Sequence, residues 1–429
     1  MPQIFADTRP LSEPNFRRLW TANIVTVIGA TLTVVAVPAQ IYAITGSSAY
    51  VGLTGVFGLV PLIVFGLWGG SLADVFDRRR ILIVTTLGLI ATSVGFWVQA
   101  ALHVNNVWLL LGLFAVQQAF FAVNQPTRTA VLPRILPSEL LPAANSLNMT
   151  VMQAGSIAGP LVGASLIPVL GFPLLYLIDS ITLLATLWAV LKLPSLVPER
   201  ADGTKPSTPG LRSVIDGFVY LRGHPVLLVS FVVDLIAMVF GMPRALFPEI
   251  AHESFGGPTD GGVAFALLFI AVPIGAVLGG VFSGWVSRVQ RQGRAVIIAI
   301  LVWGLSIAVA GGVLFFAHGT PLPILPIVVG ALIVGGAADM VSSAFRQSML
   351  QAAATDEVRG RLQGVFLVVV AGGPRIADVA HGASAAMVGT AATFAGGGVL
   401  TVVFTVLVAL AVPAFWRYRL SRRDEPVPT

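Results

Sequence analysis

Two stretches of equal length, QAGSIAGPLVGA at residues 153–164 and AGGPRIADVAHG at residues 371–382, reveal how this 429-residue chain is organised. Aligned without a gap, they place Gly155 over Gly373. The same alignment continues upstream and pairs Arg128 with Arg346, Leu132 with Leu350, Glu139 with Glu357 and Asn145 with Gln363. Such a long internal repeat indicates two structurally similar halves within one chain.

The composition of the chain indicates the environment of these halves. Hydrophobic residues make up 56% of the sequence and charged residues only 10%, whereas about a quarter of a soluble protein is charged. Apolar runs long enough to cross a ~30 Å hydrocarbon layer as helices lie near residues 19–43, 50–70, 81–102, 107–125, 143–168, 172–193, 226–246, 262–286, 295–317, 324–345, 362–388 and 394–415. The sequence predicts an all-α membrane protein with twelve transmembrane helices in two pseudo-symmetric six-helix bundles.

Basic residues are concentrated on one side of this predicted topology. With the N-terminus inside, Lys and Arg fall in the cytoplasmic segments, and no external loop holds either. This positive-inside pattern predicts that both termini are cytoplasmic, and it explains the net charge of +6 without nucleic acid. Arg244 and Arg375 are the exceptions, because each lies within or at the end of a predicted span. The N-terminal segment lacks the pattern of a cleaved signal peptide, so we expect it to be retained.

Residues 194–225 form the predicted cytoplasmic linker between the halves. The linker begins with PSLVPERADGTKPSTPG, which is rich in proline, serine and charge, and continues as LRSVIDGFVYL, where apolar residues follow helical spacing. This order predicts a flexible joint followed by a short helix on the membrane surface. The predicted domains are therefore residues 1–193, the linker, and residues 226–429 including a cytoplasmic tail.

A charged loop follows the second apolar span, in GGSLADVFDRRR at residues 69–80. It resembles the loop motif of the major facilitator superfamily, and the resemblance covers essentially the whole chain. Val75 and Asp77 depart from the pattern, in which arginine and glycine are usual. The matching positions are Gly70, Leu72, Asp74, Arg78 and Arg79.

The resemblance implies a gating role for this loop. In the superfamily the loop latches the cytoplasmic side closed, with the aspartate facing the start of the eleventh helix. Asp74 would then pair with Arg359 or Arg361, alongside the loop residues Gly70, Arg78 and Arg79. A solvated turn whose arginines only set the topology is the alternative.

The stretch quoted first carries a second motif, in the fifth predicted helix. Through Gly155, Gly159, Pro160 and Gly163 it resembles the signature of the superfamily's exporters, which are proton antiporters. Glycines four residues apart let helix backbones approach closely, and proline bends a helix. Ordinary small-residue packing is the alternative.

A narrower resemblance lies mostly in loops and helix ends. The segments are TRTAVLPRILPSELLPAANSL at residues 127–147, GFVYLRGHPVL at 217–227, PRALFPEIA at 243–251 and MLQAAATDEVRGRLQGV at 349–365. They are similar to the exporter branch that includes the enterobactin exporter and related multidrug pumps. This branch implies efflux of siderophores, drugs or other bulky amphiphiles.

Carboxylates within apolar helices are the candidates for proton coupling. Asp179, Asp234, Asp339 and Asp378 lie within predicted spans, where each unbalanced charge costs about 3 kcal/mol or more near the bilayer centre. Because the first, fourth, seventh and tenth helices line the cavity in the superfamily, the resemblance implies coupling by Asp234 and Asp339. Arg375 and Asp378 are predicted to form a switchable ion pair, with Asp234 competing for the arginine. Static ion pairs are the alternative, and we assign Asp179 a structural hydrogen-bonding role.

Polar and flexible side chains on the cavity-lining helices are the predicted substrate contacts. They are Asn23, Gln40, Gln117, Gln118, Asn124 and Met238. Arg244 is predicted to anchor at lipid headgroups, with an external gate as the alternative. The sequence contains no phosphate-binding glycine loop, no metal-ligand motif and no cysteine. We therefore predict no cofactor, no metal and no enzymatic activity.

These patterns together predict a multi-pass protein of the bacterial cytoplasmic membrane. It would work as a monomer that exports a small-molecule or amphiphilic substrate in exchange for protons, with the lipid bilayer and no nucleic acid as partner. A lipid or lysolipid transporter of the same fold is one alternative. A membrane sensor or assembly partner that transports nothing is the other.

Overall fold

The computed structural model describes residues 7–197, 219–283, 289–317, 319–353 and 356–419. Within helices, the side chains of residues 67–75, 153, 351–368, 370 and 371 are outside the description. The long helices are α1 Pro14–Thr45, α2 Ser48–Val75, α3 Arg78–Ala101, α4 Val107–Ile135, α5 Leu141–Leu191, α6 Pro225–Gly241, α7 Val263–Val281, α8 Gln292–Leu314, α9 Ile324–Ala353, α10 Asp356–Val388 and α11 Thr390–Ala411. A short helix, α12, covers Pro413–Arg417, and the described part of the chain contains no strand.

Ten of the described helical segments are long and apolar enough to cross a membrane. One of them, α5, covers two predicted spans, residues 143–168 and 172–193. At Gly171 the backbone leaves the helical conformation, with φ 70 and ψ 167, which glycine adopts without a steric penalty. Helix α10 contains the predicted span 362–388 but is not among the ten. The count of twelve spans and the cytoplasmic position of the termini stay predictions.

The chain forms two compact units. One consists of Met1–Gly210 with Gly257–Ala266, and the other of Leu211–Gly256 with Leu267–Thr429. We call them unit 1 and unit 2. Residues 198–218, which hold most of the predicted linker and its surface helix, lie outside the described residues, so that part of the domain prediction stays open.

In unit 1, α1 packs along α5, α2 along α4, and α3 against both α4 and α5. The glycines of the second motif face α1. A Cβ at Gly155 would overlap Val27, and one at Gly159 would overlap Thr31. These positions therefore allow the backbones of α1 and α5 to approach closely, as small residues do between membrane helices.

A buried aspartate ties three helices of unit 1 together. Asp179 of α5 is 1% exposed and accepts hydrogen bonds from the Thr33 hydroxyl of α1 at 2.8 Å and from the Ser93 hydroxyl of α3. Hydroxyl donors lower the cost of burying a carboxyl among apolar helices.

Unit 2 repeats the close helix approach of unit 1. Helix α6 packs against α10 and α11, and α8 packs against α9 and α11. Gly373 of α10 lies against Met238 of α6, and this contact is the counterpart of Gly155 of α5 against Val27 of α1. The two halves therefore resemble each other in their helix contacts as well as in their sequence.

We expect Gly159→Val to destabilise the protein by about 1–3 kcal/mol, because the added side chain must displace Thr31. The thermal unfolding midpoint of the purified protein in detergent measures this effect. Gly112→Ala in α4 is the matched control, since no atom lies within 4 Å of a Cβ there. Equal midpoints for the two variants would show that the α1–α5 contact is not tight.

Candidate functional site

Three charged side chains meet inside unit 2. The Nη1 atom of Arg346 in α9 forms an ion pair with Oδ1 of Asp234 in α6, and its Nη2 atom lies 3.9 Å from Oδ1 of Asp339. The side chains of Arg346 and Asp234 are 8% and 4% exposed, whereas that of Asp339 is 37% exposed. Asp339 and Arg346 share one face of α9 because they lie two turns apart. We call these three residues the acidic cluster.

The acidic cluster corrects one expectation from the sequence. Asp234 was expected to compete for Arg375, but its partner is Arg346. The tenth predicted span ends at residue 345, whereas α9 continues to Ala353 and includes Arg346; the cytoplasmic position of this arginine stays a prediction. The two-turn spacing of Arg346 from Asp339 is the sequence signal for their contact.

A second group of charges in unit 2 surrounds Asp378 of α10. Its Oδ2 atom lies 3.8 Å from Nη2 of Arg244, in the turn after α6. Arg244, predicted as a headgroup anchor, is therefore an ion-pair partner of a buried aspartate. Arg375 lies one turn before Asp378, so the aspartate faces arginines from two elements.

Buried His381 follows Asp378 on the same helix and contacts two backbone carbonyls. Its Nδ1 atom lies 2.9 Å from the Ala377 oxygen, and its Nε2 atom lies 3.0 Å from the Phe240 oxygen. Phe240 is near the C-terminus of α6, where carbonyls have no helical partner. The imidazole therefore links α10 to the end of α6.

In unit 1 the residue that corresponds to Arg346 lies at a cavity. Arg128 of α4 lines a space of about 450 Å³. Asn23 of α1, a predicted substrate contact, lines the same space together with residues from α5. The fourth predicted span ends at residue 125, whereas α4 extends to Ile135 and includes Arg128.

Two other predicted substrate contacts form hydrogen bonds between helices of unit 1. The Gln40 amide bonds to the Gln99 side chain and accepts from the Tyr176 hydroxyl at 2.8 Å. Asn124 donates to the Thr85 hydroxyl at 2.8 Å. Both residues therefore hold helices of unit 1 together, and their contact with substrate stays a prediction.

The remaining predicted contacts have mixed positions. Gln117 and Gln118 of α4 are half-buried. Met238 of α6 packs against Gly373, so it serves helix packing within unit 2.

The predicted gate is described only in part. The side chains of Asp74, Arg359 and Arg361 lie outside the described residues, and so do the neighbours of Gly70. The ion pair of Asp74 with Arg359 or Arg361 therefore stays a prediction. Arg78 donates to the Ala130 carbonyl at 3.1 Å and Arg79 to the Leu191 carbonyl at 2.8 Å. These two arginines therefore join the start of α3 to α4 and α5.

Asp77, one of the departures from the superfamily pattern, organises the same region. It caps α3 by accepting from the Arg79 N–H at 3.0 Å, and it accepts from the Leu196 N–H at 2.9 Å and the Ser195 hydroxyl at 2.8 Å. Burial raises the pKa of Asp77, but these hydrogen bonds and the charge of Arg80 outweigh it, so the pKa lies below its ordinary value. In the sequence, Asp77 is recognisable only as a departure from the superfamily pattern.

Comparison with known proteins places the chain in a transport family. Residues 6–425 match the family model described as transmembrane secretion effector. The enterobactin exporter of Shigella boydii is 27% identical over 95% of this chain and 94% of the relative, and that of Escherichia coli is 26% identical over the same shares.

Solved structures of transporters share the fold. A peptide transporter in complex with alafosfalin has a TM-score of 0.75 at 13% identity, covering 95% of this chain and 96% of the other. A nucleoside transporter has a TM-score of 0.71 at 14% identity, covering 94% and 99%. At these identities the likeness shows the fold alone.

We expect Arg346→Met to destabilise the protein by about 3–5 kcal/mol, because it leaves Asp234 buried without its cation. The double variant Arg346→Met/Asp234→Leu removes both charges and should recover much of the loss. Thermal unfolding midpoints of the wild type, both single variants and the double variant form the cycle that measures the coupling. Additive effects of the two substitutions would contradict a coupled pair.

Asp77→Ala should lower the free energy of unfolding by about 1 kcal/mol, through loss of the α3 cap. Asp77→Asn keeps an acceptor oxygen and should lose less. Because the folded-state pKa is lowered, the contribution of the carboxylate is complete above the ordinary value of 3.8 and is lost as the pH falls through the lowered value. A difference between wild type and Asp77→Ala that grows on acidification would refute this assignment.

Proposed function

The chain belongs to the transmembrane secretion effector family of the major facilitator superfamily, and from this premise we propose that it exports a bulky amphiphilic solute in exchange for protons. It is a multi-pass membrane transporter of the exporter type. The energy source and the substrate class form the proposal.

The charge balance of the acidic cluster is the observation that carries the proton coupling. The cluster has one arginine and two carboxylates, so it bears a net negative charge when all three are ionised. One bound proton makes it neutral. A net charge is costly among membrane helices, and this cost favours binding of one proton by the cluster.

The two carboxyl groups of the acidic cluster differ in exposure, and we assign them different roles. Asp234 is nearly fully buried and directly paired with Arg346, whereas Asp339 is 37% exposed and 3.9 Å from the same arginine. Asp339 is therefore the group that receives and releases the proton. Asp234 holds Arg346 in place and keeps the arginine positive charge compensated while Asp339 is neutral.

Coupling to transport follows from the same balance. A state in which the cluster is closed off from water is favoured when the charges cancel, and a state open to water is favoured when they do not. Protonation from outside would thus permit one conformational change, and proton release inside would permit the reverse change. The substrate leaves in exchange over this cycle.

The charges around Asp378 have the opposite balance. Arg244 lies 3.8 Å from Asp378 and Arg375 lies one turn away, so positive charges outnumber the aspartate. This group does not require a proton to become neutral. We therefore assign Asp378 and Arg375 a structural ion-pair role, rather than the switch considered from the sequence.

The substrate proposal rests on the relatives. Proteins named enterobactin exporter match 95% of this chain, and we propose a siderophore-like or drug-like amphiphile as the solute. The protein would act as a monomer in the bacterial cytoplasmic membrane, with protons and the bilayer as its other partners.

Lipid transport is the second candidate, favoured by an apolar cavity in unit 1. The cavity has a volume of about 620 Å³, and its lining includes Phe65, Val84 and Phe120 with Arg80. An acyl chain fits apolar walls, and an arginine fits a phosphate headgroup. The same transport assay distinguishes the two candidates when lysophospholipid replaces the catecholate solute.

We expect everted membrane vesicles with an acidic interior to accumulate a catecholate siderophore in a gradient-dependent manner. Asp339→Asn should reduce accumulation to the level measured without the gradient, because the proton site is lost, while substrate counterflow without a gradient should persist. Asp378→Asn and the loop variant Asp77→Asn are the controls, and both should retain gradient-driven uptake. Full gradient-driven accumulation by Asp339→Asn would overturn the proposed coupling.

A further inference from the structure

Arg128 and Arg346 are counterparts in the internal repeat, but their surroundings differ in charge. Arg346 contacts two carboxylates in unit 2. Arg128 makes one hydrogen bond, from Nη2 to the Leu19 carbonyl at 3.3 Å, and it forms no ion pair with any side chain in the described part of the chain. Among the described residues, Arg346 is thus paired with carboxylates and Arg128 is not.

The repeat also shows which residues replaced the carboxylates. The contact of Gly155 with Val27 corresponds to that of Gly373 with Met238. One turn before Val27 is Asn23, and one turn before Met238 is Asp234. Asn23 is thus the neutral counterpart of the aspartate that pairs with Arg346.

The counterpart of the second carboxylate is apolar. Counting two turns back from Arg346 leads to Asp339, and the same step from Arg128 leads to Phe121. Both negative charges of the acidic cluster are therefore missing around Arg128.

A cavity occupies this part of unit 1. Its volume of about 450 Å³ falls within the range of small-molecule sites. Amides from three helices line it, including Asn23 of α1, Gln125 of α4 and Asn148 of α5, and no acidic residue is among the described lining residues. The cavity therefore combines a cation and several amide donors.

Aromatic and apolar side chains form the rest of the cavity lining. Trp20 is one of them, and its indole nitrogen is covered by protein atoms, so the ring offers an apolar surface to a ligand. Phe16, Met149 and Met152 provide apolar contacts around it.

We propose that this Arg128 cavity binds an oxyanion attached to an aromatic or apolar body, such as a phenolate, carboxylate or phosphate. Arg128 supplies charge-assisted hydrogen bonds to the anionic oxygens, and the amides supply the remaining donors. The apolar side chains contact the body of the ligand. As the substrate subsite of the exporter, the cavity rests on the proposed function, and it specifies an anionic substrate class.

The oxyanion has two possible sources, the transported solute and the headgroup of a membrane phospholipid. Titration calorimetry of 2,3-dihydroxybenzoate with the purified full-length protein in detergent tests whether the cavity binds such an anion. Two further arms use inorganic phosphate in detergent and nanodiscs with or without phosphatidylglycerol. Tetraphenylphosphonium, a lipophilic cation, tests the sign of the charge preference.

Two variants test the cavity by different routes. Arg128→Gln removes the cation, and Asn23→Asp installs the carboxylate that unit 2 has at the corresponding position. Each should weaken dihydroxybenzoate binding by at least about tenfold, through loss or neutralisation of a charge-assisted contact. Arg134→Gln, an exposed arginine of the same helix outside the cavity lining, is the matched control and should bind as the wild type does.

The outcomes are distinct. Competition by phosphatidylglycerol assigns the oxyanion to a lipid headgroup, and competition by neither lipid nor phosphate assigns it to the solute; both support the cavity. Unchanged binding in Asn23→Asp and Arg128→Gln, or tetraphenylphosphonium binding that requires Arg128, overturns it. Since no pH gradient is present, this result is independent of proton coupling, whose failure would appear only in the vesicle assay.

Discussion

An arginine buried among membrane helices must have its charge balanced, and the organisation of this protein follows from how each half meets that requirement. In unit 2 Arg346 is neutralised by Asp234 and approached by Asp339. Removing either kind of charge from such a site leaves the other uncompensated in a medium that solvates it poorly. The ion pair therefore connects α6 with α9. The additional negative charge of Asp339 favours binding of a proton in this unit.

The two units share their backbone contacts but differ in their charges. Close approach of α1 to α5 and of α6 to α10 uses glycines at corresponding positions. Where unit 2 has Asp234, unit 1 has Asn23, and where unit 2 has Asp339, unit 1 has Phe121. We infer that the two similar helix bundles have different functions, proton exchange in unit 2 and anion recognition in unit 1.

The sequence predicted the helical class, most span positions and the repeat, because apolar periodicity and small-residue spacing depend on local pattern. It ended two helices too early, since α4 and α9 extend beyond their apolar runs and include Arg128 and Arg346. It did not predict the hydrogen bonds of Gln40 with Gln99 and of Asn124 with Thr85, because the partners lie on other helices and no local pattern reveals them. Asp77 was missed for the same reason, since Ser195 and Leu196 come from a distant part of the chain.

We propose that the acidic cluster carries a proton on Asp339 and releases it when substrate is bound. Infrared difference spectroscopy of the purified protein tests this directly through the carbonyl band of a protonated carboxyl. We expect a protonated-carboxyl band that disappears when substrate is added and is absent from Asp339→Asn, while Asp378→Asn retains it. A band that persists unchanged in Asp339→Asn, or that does not respond to substrate, would show that Asp339 is not the carboxyl that exchanges the proton.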